Sequence, residues 1–329
     1  MSKFVAVGLV VVIAALLLIG CSGTNKQTVY QWVLERVSYN LAATRVAFTS
    51  LGGNGVRYVY SVTNTGGNLT LLTPTDNDED LTDEGGKQPA YSPDGVDMAI
   101  VARRGGGQQS LYLIDPTSGA GTREARLTAD NVALPGADAQ PSWSADSSQI
   151  VYVSTKGSAA GRWEIWIVNR DGSNPHMVAR TGAPDVDATD AQWPVFSPDG
   201  TQIIYQSRID AIGVDTSLRR VNVAGGASAE IDGTENDGFR EGAPSVVNVG
   251  ATPVVVFSSN RNGDFDIWRM NLDGSDAPGV ALTDDARSDG FPVWAADASR
   301  IAFTRDNEVW TIAANGLDPV QVTERFQNR

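Results

Sequence analysis

The chain has 329 residues, with 25 Lys and Arg against 39 Asp and Glu, which gives a formal net charge of −14. This acidity argues against a nucleic-acid partner, because binding to phosphates requires a basic surface. The single Cys and the single His exclude an internal disulfide, a cysteine-based zinc site and any site that needs two imidazoles. The length allows two or three domains, or one large all-β unit.

The N-terminus has the pattern of a lipoprotein signal. Lys3 precedes an uncharged stretch over residues 4–20, and Leu18-Ile19-Gly20-Cys21 resembles the lipobox of bacterial lipoproteins, in which the signal is cut before a Cys that is acylated. We therefore expect a signal peptide over 1–20 and a lipidated Cys21 with a tether over 21–40, since two or three acyl chains anchor a protein stably. An uncleaved signal anchor is the alternative. Both place the rest of the chain outside the cytoplasm, on the periplasmic side of a bacterial membrane or at the cell surface.

A motif built on Pro recurs along the rest of the chain. It is found as Pro89-Ala-Tyr91, Pro141-Ser-Trp143, Pro194-Val-Phe196, Pro244-Ser-Val246 and Pro292-Val-Trp294. The steps between the Pro residues are 52, 53, 50 and 48 residues. A repeat of about 50 residues is typical of a propeller blade with four strands.

Each repeat contains the same series of short strands. A second strand follows the Pro motif, and counting a further copy near the N-terminus there are six, at 46–49, 99–102, 150–153, 203–206, 254–257 and 301–304. A third strand pairs an aliphatic with an aromatic residue, as in Ile165-Trp166, and ends at a turn such as NRDG (169–172), which suits a tight hairpin. A weaker fourth strand ends near Leu-Thr, as at 127–128.

These patterns predict an all-β fold, a six-bladed β-propeller of four-stranded antiparallel blades over residues 41–329. The first repeat lacks a clear Pro motif. Residues 29–39 either supply its first strand or pair with the last blade to close the ring, because an open blade edge promotes aggregation. The recurring Trp and Tyr residues are predicted to lie in the core, whereas Trp32 and Trp163 fall outside the pattern and are candidates for surface contacts.

The run SSNRNGDFDIWRMNLDGSD (258–276) and the two SPDG turns resemble the TolB-type, WD-repeat-like β-propeller family over about residues 40–325. The resemblance implies a six-bladed propeller with an axial channel and protein-binding ends. The family's namesake is a soluble periplasmic protein of a cell-envelope system with an α/β domain before its propeller. Only about twenty residues separate Cys21 from the first blade strand, so we expect that domain to be missing here and a lipid anchor to be present.

The sequence favours a binding protein over an enzyme. His176 is the only candidate general base of a Ser-His-Asp hydrolase, and no G-x-S-x-G motif occurs. Similar repeats form the propeller of prolyl oligopeptidase-like peptidases, but their hydrolase domain would need a few hundred further residues. No cofactor is expected. A Ca²⁺ site remains an alternative at 76–80, which lacks the Gly and Glu of an EF-hand loop, and at 260–266, which turn chemistry also explains.

Acidic residues concentrate in the loops that join each fourth strand to the next first strand. These loops hold 13 acids against the three bases Lys87, Arg240 and Arg287. The acids are Asp83, Glu84, Asp130, Asp138, Asp185, Asp187, Asp190, Glu235, Asp237, Glu241, Asp284, Asp285 and Asp289. All of them except Asp130 are our candidate partner-binding residues, and the pattern predicts a face that receives a basic protein segment or a cation.

An alternative explanation of this acidity lies in the neighbouring loops. Bases between the second and third strands are placed to neutralise the acids, namely Arg103, Arg104, Lys156, Arg162, Arg208, Arg261 and Arg305. We expect a monomeric, membrane-tethered propeller that binds a protein partner of the cell envelope through its loop faces and channel mouth, without catalysis. A hydrolase or lyase that acts on carbohydrate or peptide through channel carboxylates, and a structural spacer in an envelope complex, are the alternatives.

Overall fold

The computed structural model describes residues 36–40, 42–51, 56–73, 84–117, 124–129, 136–156, 158, 161–178, 180–181, 190–208, 216–231 and 238–323. The predicted signal peptide, Cys21, Trp32 and the acidic run 76–80 lie outside these ranges. Within them, every regular element is a strand, and no helix there is long and apolar enough to cross a membrane.

Six four-stranded antiparallel sheets follow one another along the chain, each made of strands in sequence order. Blade 1 contains β1 (Ser38–Tyr39), β2 (Arg45–Leu51), β3 (Arg57–Thr63) and β4 (Thr70–Leu71). Blade 2 contains β5 (Glu84–Tyr91), β6 (Met98–Arg103), β7 (Ser110–Ile114) and β8 (Glu124–Arg126). Blade 3 contains β9 (Asp138–Trp143), β10 (Gln149–Ser154), β11 (Glu164–Asn169) and β12 (His176–Met177).

The second half of the chain repeats the arrangement. After β13 (Arg180–Thr181), blade 4 contains β14 (Ala191–Phe196), β15 (Gln202–Arg208), β16 (Thr216–Asn222) and β18 (Ala229–Glu230), while β17 (Gly226–Ala227) pairs in parallel with β13. Blade 5 contains β19 (Glu241–Val249), β20 (Thr252–Ser259), β21 (Asp266–Asn271) and β22 (Val280–Ala281). Blade 6 contains β23 (Asp289–Trp294), β24 (Arg300–Arg305), β25 (Glu308–Ala313) and β26 (Val320–Gln321).

The six sheets form a closed ring. The first strands of neighbouring blades contact each other all the way round, including β1 with β23, so they lie innermost around the axis. Six hydrophobic clusters each combine residues of two adjacent blades, one cluster for each interface of the ring. The predicted six-bladed all-β propeller is therefore confirmed.

Blade 1 and blade 6 meet by side-chain packing. Val37, Phe48 and Val62 of blade 1 cluster with Ala302 and Val309 of blade 6. Ser38 and Tyr39 pair with β2, so the segment before the first repeat supplies the first strand of blade 1, which was one of the two sequence expectations. Among the described residues, no strand of the N-terminal segment joins the sheet of blade 6.

The recurring aromatic residues after Pro pack between blades, as predicted. Trp143, Phe196 and Trp294 are buried, and each belongs to a cluster shared with the preceding blade. The indole N–H of Trp143 also donates to the carbonyl oxygen of Ala90 in blade 2 at 2.9 Å. The spacing of about 50 residues therefore places one large side chain at each of these interfaces, which fixes neighbouring sheets against each other.

Every first strand from blade 2 to blade 6 contains a bulge at the residue before its Pro. These five residues all have positive φ, between 50° and 56°, and they are Gln88, Gln140, Trp193, Ala243 and Phe291. The strand register shifts beside each of them. A positive φ is uncommon for residues other than Gly, so five copies at one repeat position mark a structural feature of this propeller.

Candidate binding site at the channel mouth

The alternating strand directions give the propeller two different faces. The turn face carries the tight turns after first and third strands, including both SPDG turns (92–95 and 197–200). The loop face carries the connections between second and third strands and those that lead into each first strand. The candidate partner-binding acids that the structure describes belong to the loop face or to the first residues of the strands that start there.

The described candidate acids occupy several environments. Asp83, Asp185, Asp187, Glu235 and Asp237 lie outside the described residues, and only the backbone of Glu84 is described. Asp138, Glu241 and Asp289 are buried, whereas Asp284 and Asp285 are exposed and Asp190 is intermediate. The structure therefore divides the predicted acidic face into buried carboxylates at the strand starts and exposed carboxylates in the loops.

The buried carboxylates form ion pairs with bases at the ends of the second strands. Lys156 Nζ lies 2.6 Å from Asp138 Oδ2, and Arg261 Nε lies 3.1 Å from Glu241 Oε1. Asp289 accepts two hydrogen bonds from the guanidinium of Arg305. These three bases are among those that the sequence placed beside the acids, and their charges offset those of the buried carboxylates within each blade.

Blade 4 has a looser version of the same pair. Arg208 Nη2 lies 3.5 Å from Asp190 Oδ2, and the backbone N–H of Trp163 donates to Asp190 Oδ1 at 2.9 Å. Trp163, one of the two predicted surface aromatics, is half-buried beside this acid. An acid at the start of the first strand and a base at the end of the second is thus a repeated feature of blades 3 to 6.

One buried acid, Asp266, forms no ion pair with a described base. Asp266 starts β21 and accepts a hydrogen bond from Thr283 Oγ1 at 3.2 Å. Burial raises its pKa to about 6, and the negative charges of Asp289, Asp284 and Asp285 add to the increase. Asp285 differs because it is exposed and its hydrogen bond with Arg287 lowers its pKa. The charge of Asp266 is therefore costly to the fold.

A cavity of about 540 Å³ opens on the loop face between blades 4, 5 and 6. Its inner wall consists of the bulge residues Trp193, Ala243 and Phe291. The ring centroids of Trp193 and Phe291 lie 5.0 Å apart in an edge-to-face arrangement. The two rings come from blades 4 and 6 and meet because Ala243, at the same position of the blade between them, has only a methyl group.

The opposite side of the ring uses the same repeat position differently. The side-chain carbonyl of Gln88 accepts the backbone N–H of Gln140 at 2.8 Å, and that of Gln140 accepts the backbone N–H of Trp193 at 2.6 Å. The bulges of blades 2, 3 and 4 are thereby joined in a chain of hydrogen bonds. The chain ends where Trp193 replaces Gln, and the cavity begins there.

The repeat pattern does not by itself predict this cavity. Its recurring aromatic residues follow each Pro and are core, whereas the cavity is lined by the residues that precede Pro. A signal was present, because that position reads Gln, Gln, Trp, Ala and Phe along the chain while its neighbours recur. Variation at one position of a regular repeat is typical of a surface that serves binding and not packing.

Two other predicted features have a simple structural environment. His176 lies in the outermost strand of blade 3, half-exposed, with Nδ1 at 2.9 Å from the carbonyl oxygen of Asn174. The segment 260–266 forms the turn between β20 and β21, where Gly263 N–H donates to the carbonyl oxygen of Asn260 at 3.0 Å. Asn260 Oδ1 also accepts the backbone N–H of Arg240 at 2.7 Å, so this side chain stabilises the loop face.

The comparisons with known proteins agree with this architecture. The TolB beta propeller domain model matches residues 83–247. TolB from Acinetobacter baumannii is similar with a TM-score of 0.55 and 17% identity, over 80% of this chain and 57% of that protein. The chain therefore spans little more than half the length of that TolB.

Two further solved structures are similar in fold at low identity. Oligogalacturonate lyase from Vibrio parahaemolyticus has a TM-score of 0.55 and 12% identity, over 91% of this chain and 79% of that one. The β-propeller domain of the Trilobed protease from Pyrococcus furiosus also has a TM-score of 0.55 and 12% identity, over 91% of this chain and all of that one. Because the family model covers half of the sequence and the fold agrees, the chain belongs to the TolB β-propeller domain family.

Proposed function

We propose that this protein is a non-catalytic, lipid-anchored propeller outside the cytoplasm that binds a protein partner of the cell envelope through its loop face. The observation that carries the proposal is the organisation of the loop face around the channel mouth. Its buried acids are tied to bases, which holds the strand starts in place, while exposed acids remain at the rim of blades 5 and 6. A rigid scaffold with an exposed charged rim suits recognition of a partner.

The exposed acids suit a partner with a basic segment. Asp264 and Asp284 are exposed. The net charge of the protein, −14, attracts cations over a distance of several ångströms. Exposed ion pairs contribute only about 0–1 kcal/mol each, so the field acts mainly on the association rate. The half-exposed Phe239 on the same face can supply apolar contact.

The test compares charge variants on the two faces of the full chain, purified in detergent. Partners captured from an envelope extract with wild type are purified, and their association rates are measured at low and moderate salt. Asp264→Asn with Asp284→Asn, and separately Asp185→Asn with Asp187→Asn, should slow association and flatten its salt dependence. Asp171→Asn with Asp273→Asn on the turn face is the matched control, because Asn keeps the turn hydrogen bonds. Equal loss from the turn-face control would contradict the proposed surface.

The lipid anchor has its own test. If Cys21 is acylated, Cys21→Ser should accumulate as an uncleaved precursor and take up no labelled palmitate in a bacterial host. Equal labelling of mutant and wild type would overturn the anchor but leave the binding surface untouched. A hydrolytic or lytic activity that either loop-face variant loses would replace the binding proposal by the enzyme alternative.

A further inference from the structure

The cavity between blades 4, 5 and 6 has the size of a small-molecule site. Its volume of about 540 Å³ lies within the range of about 300–1,000 Å³ that is usual for such sites. Trp193 and Phe291 form an apolar wall, and Phe265 lies at the edge. An aromatic wall offers contact to the flat apolar face of a ligand.

Three of the polar groups of the cavity are side-chain amides that other described residues leave available. The side chains of Gln192, Gln206 and Asn307 line the cavity and form no hydrogen bond with any described residue. Gln206 lies against Gly242, where a Cβ atom would come within 2.2 Å of its Oε1, so the absence of a side chain at Gly242 leaves room for this amide. An amide both donates and accepts hydrogen bonds, as a hydroxyl group does.

Three of the four hydroxyl groups of the cavity wall are engaged with the backbone, and the fourth is that of the exposed Ser288. Thr216 Oγ1 donates to the carbonyl oxygen of Glu241 at 2.8 Å, Ser258 Oγ to that of Gly242 at 3.2 Å and Thr304 Oγ1 to that of Gly290 at 3.0 Å. These three fix the geometry of the wall, so the three amides and the Ser288 hydroxyl are the neutral polar groups available to a ligand.

The charged groups of the cavity offset one another. Glu241 and Asp289 are buried and paired with Arg261 and Arg305. Arg240 and Asp306, both exposed, add one charge of each sign. An ionic ligand would find no excess of opposite charge, and its desolvation would therefore be uncompensated.

The inner strand edges disfavour an extended peptide. A peptide that adds to a sheet needs a regular row of free backbone groups along an edge strand. Bulges interrupt the first strands at Trp193, Ala243 and Phe291, which bends these edges and breaks their spacing. The cavity therefore suits a compact ligand better than a strand-like one.

We propose that the aromatic and amide-lined cavity between blades 4, 5 and 6 binds a neutral saccharide of one or two pyranose units. The rings of Trp193 and Phe291 contact the apolar face of a sugar ring, and the amides of Gln192, Gln206 and Asn307 exchange hydrogen bonds with its hydroxyl groups. The site is one of binding only and is independent of the protein partner proposed above, since it uses neutral groups and not the exposed acids of the rim.

The test titrates the full chain, purified in detergent, with maltose, cellobiose and N,N′-diacetylchitobiose by calorimetry and by saturation-transfer NMR. At least one of them should bind wild type. Trp193→Ala and Gln206→Met should each weaken its binding about tenfold, because each removes a contact worth roughly 1 kcal/mol or slightly more. Ala243→Leu should abolish binding by filling the cavity. Asn262→Ala, an exposed amide of the same face outside the cavity, should bind as wild type does.

Several outcomes would overturn the proposal. These are no binding of any neutral saccharide to wild type, binding by Trp193→Ala and Gln206→Met that is as tight as that of wild type, or tighter binding of digalacturonate than of the neutral sugars. Binding of a Gly-Ser hexapeptide in competition with the sugar would assign the cavity to a protein segment. Unfolding curves of all variants identify any change that acts through the fold, and Gln206→Met preserves the test if Ala243→Leu does not fold.

Discussion

At the scale of single residues, the buried acids of the loop face differ in whether a basic side chain contacts them. Asp138 is fully buried and bonded to Lys156, Thr128 and Ser154. Asp266 is almost as buried but is bonded only to a hydroxyl group among its described side-chain partners. Lys156 compensates the charge of the first carboxylate, whereas burial makes the charge of the second unfavourable and raises its pKa to about 6.

The raised pKa of Asp266 predicts a pH-dependent stability. The folded pKa of about 6 exceeds the unfolded value of about 3.9, so the folded state holds this proton more tightly. The free energy of unfolding should therefore fall as the pH rises from about 4 to about 6. Asp266→Asn keeps the acceptor for Thr283 and should be more stable than wild type by roughly 1–3 kcal/mol near pH 8, with no difference near pH 4. Urea unfolding followed by Trp fluorescence measures this.

The matched control for this prediction is Asp273→Asn. Asp273 is exposed on the turn face, and a hydrogen bond from Ser275 lowers its pKa. Its charge is favourable to the fold, so removing it should give no gain near pH 8. A gain for Asp266→Asn that is the same at every pH would show that packing, and not ionisation, is responsible.

At the scale of secondary-structure elements, the repeat carries two local devices that hold each blade together. The Thr that follows the fourth strand accepts the backbone N–H at or near the start of the third strand, as Thr128 Oγ1 does from Leu111 at 2.9 Å and Thr283 Oγ1 from Ile267 at 2.9 Å. This bond extends a fourth strand of only two or three residues. The acid–base pair acts at the inner edge of the sheet. There it ties the start of the first strand to the end of the second.

The pair in blade 3 allows a direct test of this role. Lys156→Met should destabilise the protein by about 3–5 kcal/mol, because it leaves the fully buried Asp138 carboxylate without a compensating charge. Adding Asp138→Leu should restore much of the loss, since it removes the unpaired charge. Chemical denaturation of the single and double mutants measures both effects.

Arg287→Met provides the comparison for an exposed pair. Arg287 and Asp285 lie 2.9 Å apart with more than two fifths of each side chain exposed, at 44% and 41%. Its loss should change the free energy of unfolding by only about 0–1 kcal/mol.

A blade 3 double mutant that is no more stable than Lys156→Met would mean that Asp138 acts chiefly through its hydroxyl partners Thr128 and Ser154.

At the scale of the whole molecule, stability depends on closure of the ring. Each blade buries one face against each neighbour, and the interface between blades 6 and 1 is as apolar as the others, with Val37, Phe48 and Val309 in one cluster. In the described part of the chain, each blade takes its four sheet strands from one continuous stretch, so closure rests on packing between two complete sheets. Blades 1 and 6 are therefore joined there by side chains and not by a shared sheet.

Removing a blade should consequently cost more than the stability of that blade. Deletion of residues 290–329 exposes the cluster faces of blades 5 and 1, and we expect cooperative thermal unfolding to be lost. A circular permutant that starts at blade 2 and ends with a linked blade 1 keeps all six interfaces. It should unfold in one transition by calorimetry, as the native chain does. A truncated protein that melts like the native one would mean that the blades are independent.

The sequence by itself determined the blade count, the strand order and the antiparallel hairpins, because turns such as Asn-Arg-Asp-Gly and the alternation of apolar triplets act locally. It also predicted the acids and bases that pair on the loop face of blades 3 to 6. Only the tertiary structure decided which acids are buried, since burial depends on how deep each first strand begins in the ring. It likewise decided the cavity, because Trp193 and Phe291 are separated by almost a hundred residues and meet only when three blades stand side by side. The small side chain of Ala243 lets these two rings meet, and this effect exists only in the closed ring.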